Sequence, residues 1–156
     1  MKVPPYGFIS YAHDDFSVFE ALRKQLIAIE RRFRIKFHED TDLTGGDTVD
    51  PAIQAMIDQS HVFVLLTSAA FIASGYIFDI ELPAIETRKN AAKGLIIPVV
   101  LNRCDHDLVH GRLEQVPKVA KRLKPVDQWE RPNDAYDCAR DQISRAIARH
   151  YGVKYP

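Results

Sequence analysis

Residues 61–67, HVFVLLT, decide how the chain folds. From Val62 to Leu66 every side chain is apolar, so the stretch lacks the alternation of a strand with one wet face. A continuous apolar run of this length suits a strand buried on both faces, and that burial is typical of parallel sheets. Residues 94–101, GLIIPVVL, repeat the pattern despite Pro98, and residues 6–11, YGFISY, are a third such run.

The segments between these runs have helical spacing. Phe16, Phe19, Leu22, Leu26 and Ile29 recur at intervals of three and four, which predicts an amphipathic helix over 15–30 with Asp14 as its N-cap. RIKF (34–37) reads as a short second strand. HEDTDLTGGDTVDP reads as a loop, with Pro51 in the first turn of a helix that turns Ile53, Met56 and Ile57 to one side. Residues 79–92 and 134–150 are further helices, the last with Ala139, Ile143, Ala146 and Ile147 inward, and LKPV (123–126) is a weak fifth strand. Strands alternating with helices imply a parallel sheet covered on both faces. Five of them suit the flavodoxin-like order 2-1-3-4-5. In such sheets ligands bind beyond the carboxyl ends of the strands, where the order reverses. That points to YAHDD after the first strand and TSAAF after the third. Tyr11 is expected to pack against a ligand there, and Ser10 to bond a phosphate or ribose. Asp14 is expected to be structural.

Composition sets bounds on function. The 156 residues fit one domain, and 46% are apolar, enough for a core without disulfides. Twenty-one basic and 21 acidic residues balance. This speaks against a dedicated nucleic-acid binder, so no nucleic-acid partner is expected. Two distant cysteines, Cys104 and Cys138, make no disulfide framework, and a reducing cytoplasm is the expected compartment. No run approaches the roughly 18 apolar residues of a membrane span, and no membrane partner is expected. MKVPPYGF has no signal-peptide character and Met1 suggests a native start. HYGVKYP is either a native end or a junction, so residues 1–150 are expected to form the domain and 151–156 a tail or linker.

Four stretches, in order, resemble the Toll/interleukin-1 receptor (TIR) domain, in its bacterial style. FISYAHDD resembles its first box. DTDLTGGDTVDPAIQAMIDQS is similar to the loop and helix after its second strand. VFVLLTSAAFIASGYIFDIEL is similar to its third strand and the segment that carries a glutamate in enzymatic members, and IIPVVLNRCD to its fourth strand. The resemblance implies cleavage of NAD⁺ at the nicotinamide–ribose bond, giving nicotinamide with ADP-ribose or a cyclic variant. It places the glutamate at Glu81. Ser10, Tyr11 and the 42–46 loop, with Asp42, Leu43, Gly45 and Gly46, would shape the pocket, and Ser68 and Tyr76 would contribute. The aromatic that many members carry four residues before the glutamate is Ile77 here, flanked by Tyr76 and Phe78. NAD⁺ would be a substrate, with no retained cofactor. The resemblance also implies self-association that completes the site, an upstream sensor domain or signal, and a role in anti-phage defence. The alternatives are a non-enzymatic TIR–TIR adaptor and a receiver-like nucleotide domain. A glutamate at position 81 favours the enzyme. The absence of a third-strand aspartate disfavours the receiver.

The chemistry suits one carboxylate. Nicotinamide leaves as a neutral base from a cationic pyridinium, so no general acid is required, unlike ordinary glycoside hydrolysis. A single carboxylate can hold ribose hydroxyls and stabilise an oxocarbenium-like transition state. Pro83 predicts a helix starting at 79–82, which would put Glu81 at a helix N-terminus. The remaining clusters have ordinary readings. RCDHDLVH, with His106 and His110, is expected to be a surface loop and not a metal site. Trp129 is expected to be a packing anchor. KVAKRLK (118–124) is expected to be a solvated basic face.

Overall fold

Val62–Thr67 forms β3, buried along its whole length at the centre of a parallel sheet. The computed structural model describes residues 2–40, 50–109 and 114–156. Around β3 stand β1 (Tyr6–Ser10), β2 (Lys36–Glu39) and β4 (Leu95–Val100), in the order β2-β1-β3-β4. The register runs Gly7↔Val62 and Phe8↔Phe63 on one side, and Leu65↔Pro98 on the other. β1 lies close to β2, because a Cβ on Gly7 would meet the Phe37 ring at 2.5 Å.

The expected reversal of strand order is present, and among the described residues four of the five expected strands pair in the sheet. Position five is reduced to a bridge between Val99 and Val116. The reason is Pro98. Val116 donates its N–H to the Pro98 carbonyl, and Val100 donates to the Val116 carbonyl, so this side of β4 faces the fifth position. Pro98 has no N–H to offer there. The expected strand near 123–126 is instead the second half of a small hairpin, β5 (Lys118–Val119) with β6 (Arg122–Leu123).

Helices α1 (Phe16–Phe33) and α5 (Pro132–Tyr151) cover one face of the sheet. They bury Phe19, Leu22, Leu26 and Ile29 from α1, and Ala139, Ile143, Ala146 and Ile147 from α5, against Ile9, Val64 and Ile97. Trp129 packs at the edge of this cluster and donates its indole N–H to the Lys124 carbonyl. The opposite face is covered by α2 (Pro51–Gln59), the short α3 (Ala69–Ala73) and α4 (Leu82–Ala92), with Ile53, Ile57, Phe71 and Ile85 against Phe8, Phe63 and Ile96. Asp50 caps α2 by accepting from the Ala52 N–H, and Pro51 occupies the first turn, the place the sequence predicts for it.

Several boundaries differ from expectation. The chain enters α1 through a tight turn at His13–Asp15, and Asp14 makes no capping bond. The first residue of the helix, Phe16, stays 44% exposed. α1 runs on to Phe33 and closes with Arg34 in the left-handed region (φ 56°), which delays β2 to Lys36. Among the described residues no helix is long and apolar enough to cross a membrane.

Candidate functional site

The side chains at the carboxyl end of β1 alternate between the two covered faces. Tyr11 turns to the α1 side, where its ring stacks on Phe19 with centroids 4.0 Å apart, and it is 2% exposed. Ser10 turns to the opposite side. Its hydroxyl donates to Oε1 of Glu81 at 2.5 Å, across 71 positions of sequence. The structure therefore brings Ser10 and Glu81 together and holds Tyr11 on the other face.

Glu81 does not sit at a helix N-terminus. The helical run opens at Ser74, whose hydroxyl accepts from the Ile77 N–H. It passes through a π-helical turn, Tyr76–Glu81, and continues without a break into α4. The Leu82 N–H reaches back to the Ile77 carbonyl, five residues away. Pro83 stands in the first turn of α4 directly after this wider turn, inside the continuous helical run. The helix-dipole argument from Pro83 thus falls away. The extra residue in the turn points Glu81 inward, in line with Ile77 and Ile85.

The result is a carboxyl group under the sheet with little to hold its charge. Glu81 is 1% exposed, and Oε2 is buried without a hydrogen-bond partner among the described residues. Burial pushes its pKa up to about 7, the Ser10 hydroxyl pulls it down, and the Asp40 carboxylate pushes it up again. Asp40, 7% exposed, follows the last residue of β2. Tyr76 lies half-buried beside the pair. Burial raises its pKa, Glu81 and Asp40 add to the rise, and a hydrogen bond with the Asp50 backbone opposes it. Next to them a cleft of about 320 Å³ opens between the Ala12–Asp14 turn and the Ser74–Ile77 segment.

Ser68 sits one position along the reversal point. Its hydroxyl donates to Asp15 at 2.5 Å and accepts from the Phe71 N–H, capping α3. Burial is the larger influence on Asp15 and raises its pKa; the Ser68 bond opposes it. Both lone-pair and proton of Ser68 are thus engaged in structure. Asp42, Leu43, Gly45 and Gly46 lie outside the described residues, as does His110. Among the described residues no group of three His, Cys, Asp or Glu side chains could hold a metal ion.

Asp40 was not legible as a site residue in the sequence. Its signal is strand parity: Ile9 pairs with Glu39, so Ser10 and Asp40 are the next neighbours across the two parallel strands and face the same side.

Comparison with known proteins agrees with this architecture. The TIR domain family matches residues 8–144. A Sinorhizobium fredii protein, "Uncharacterized protein y4lF", is 34% identical over 149 residues, which cover 95% of this chain. The chain spans 44% of the length of that relative. Among solved structures, the TIR domains of the activated Roq1 resistosome, which directly recognizes the pathogen effector XopQ, superpose with a TM-score of 0.55 at 16% identity. That match covers 92% of this chain and 83% of the other.

Proposed function

The chain belongs to the TIR domain family, and from that premise we propose that it breaks the nicotinamide–ribose bond of NAD⁺, with Glu81 as its catalytic carboxylate. One observation carries the reading. Glu81 is a buried carboxyl group at the carboxyl end of the sheet, bonded through one oxygen to Ser10 and with the other oxygen unengaged among the described residues. An ordinary structural glutamate is solvated or fully paired. Buried titratable groups with displaced pKa values beside a cleft mark sites of chemistry.

The reaction balances with these groups. The C–N glycosidic bond breaks and its electron pair returns to the pyridinium nitrogen, which leaves as neutral nicotinamide. The ribosyl cation takes either water, giving ADP-ribose and a proton, or the substrate's own adenine nitrogen, giving a cyclic product and a proton. Ionised Glu81 holds ribose hydroxyls through Oε2 and faces the growing positive charge. Ser10 fixes the other oxygen. Tyr76 and the cleft beside it receive the departing ring. No retained cofactor enters this scheme.

Glu81 is sealed in the single chain, so turnover requires the site to open. We place that step in self-association, with a loop of a neighbouring copy completing the pocket, and with a sensor domain or signal upstream. The compartment proposed is the cytoplasm and the setting anti-phage defence.

The test is nicotinamide release from NAD⁺ by concentrated and artificially clustered protein, with products resolved by chromatography. Glu81→Gln should lower release by about 10²–10³-fold and Glu86→Gln should not. A clustered wild-type chain that releases no nicotinamide refutes the reaction and leaves the adaptor reading, in which TIR–TIR contact is the whole function. Loss in Glu86→Gln alone refutes the assignment to Glu81.

A further inference from the structure

Ser10, Glu81 and Asp40 come from three separate elements and converge on one buried spot. The Ser10–Glu81 bond fixes the first two. The β1–β2 register fixes the third, since the Ile9↔Glu39 pair makes Asp40 the lateral neighbour of Ser10 on the same face. Asp40 and Glu81 are both buried. Two carboxylates in one low-dielectric place cannot both ionise without cost. We propose that Asp40 is a positioning residue of this site: its carboxylate, one strand over from Ser10, governs when Glu81 carries charge, and so when the site accepts a cationic ring. The proposal rests on the reading of Glu81 as the catalytic carboxylate.

The described groups around Glu81 support this. From β1 comes the Ser10 hydroxyl, which favours the ionised form, and from the end of β2 comes Asp40, which opposes it. On its own helical run Tyr76 feels Glu81 and Asp40, and Asp50 at the start of α2 acts on the same phenol. α3, AAFIA, brings no titratable group. None of these described contributors is a lysine or arginine. These described groups therefore bring no positive charge to Glu81. A pyridinium supplies one. Its entry favours ionisation of Glu81, with the proton leaving to solvent, and a neutral dihydropyridine ring would supply no such drive.

The experiment titrates the Glu81 side-chain carboxyl carbon by NMR in the full chain, with its resonance assigned from Glu81→Gln. In wild type the carbon should titrate near pH 7 and show a second, smaller inflection from Asp40, as coupled sites do. Asp40→Asn should move the main step to lower pH, and Asp40→Glu, which keeps the charge, should leave it near the wild-type position. In the nicotinamide-release assay the acid limb of kcat/KM should move with the titration, so that Asp40→Asn gains relative activity at pH 6. A folded Asp40→Asn with an unmoved Glu81 titration overturns the proposal. If that variant does not fold, a single uncoupled step in wild type overturns it instead. A chain that shows the shift and releases no nicotinamide refutes the proposed reaction and leaves the coupling standing. A chain that releases nicotinamide without the shift does the reverse.

Discussion

Glu30 and Glu81 lie under helices on opposite faces of the same sheet, and their surroundings differ in almost every respect. Glu30 accepts two bonds from the Arg23 guanidinium, at 2.9 and 3.1 Å, and one from the Phe37 N–H at 2.8 Å. Arg23 in turn donates to the Phe37 carbonyl at 3.4 Å. This pair stands in for a missing neighbour strand at the free edge of β2, which is a structural task. Among the described residues Glu81 has one neutral donor, a buried unengaged oxygen and a second carboxylate near by. The α1 side shows what a carboxylate looks like when the fold satisfies it. Measured against that, the α2–α4 side holds one that the fold leaves poised for something else.

The sharpest way to break this contrast is to neutralise each carboxylate and assay turnover. Glu81→Gln should lower nicotinamide release by about 10²–10³-fold, the scale of losing a principal electrostatic stabiliser. Glu30→Gln should leave turnover within a factor of about two. Equal losses in the two variants would show that the site is sensitive to general disturbance and would remove the distinction.

Stability should separate them in the opposite sense. The folded chain keeps a proton on Glu81 up to about pH 7, whereas the unfolded chain releases it near 4.5. Between those values the folded state binds more protons, so this group's contribution falls as pH rises and is lost in full above about 7. The difference approaches about 3 kcal/mol at its limit. Glu81→Gln removes it. The variant should match wild type in Tm at pH 5 and exceed it by several degrees at pH 8. A Tm difference that does not change with pH would mean that Glu81 carries no raised pKa.

Glu30→Ala should cost stability. It leaves the Phe37 N–H without its acceptor and the Arg23 guanidinium with only the Phe37 carbonyl and Glu39, a loss of about 1–3 kcal/mol. Chemical denaturation would read this directly. A neutral result would mean that water replaces the carboxylate at the β2 edge, and that the edge needs no cover.

How much of this could be read from residues follows from the kind of signal each feature leaves. Continuous apolar runs announced β1, β3 and β4 because burial on both faces removes alternation. Among the described residues the fifth position is a bridge beside Pro98, whose missing N–H faces it and whose side of the ladder no periodicity reveals. Asp14 looked like a cap, but the tight turn at His13–Asp15 moves the helix start past it, and Asp15 bonds Ser68 instead. Glu81 was found through resemblance, while its setting was misplaced because a π-turn runs on into α4 and Pro83 stands inside the continuous helical run. Asp40 left no local signal at all. Its membership in the site depends on which residue of β2 stands beside Ser10, and register is a property of the pair of strands, not of either sequence.

The finest test of the contrast is Ser10→Ala, which removes the only donor that the Glu81 side chain has among the described residues. That hydroxyl favours the ionised form, so its loss should raise the pKa further and shift the acid limb of kcat/KM to higher pH. At pH 7 the rate should fall by up to about tenfold, the lower end of what a hydrogen bond to a charged group contributes. At high pH, where Glu81 is ionised regardless, the rate should return toward wild type if Ser10 acts only through the carboxylate. A deficit that persists across the whole pH range would sink that reading. It would make Ser10 a group that touches the substrate itself, as a ribose or phosphate donor would.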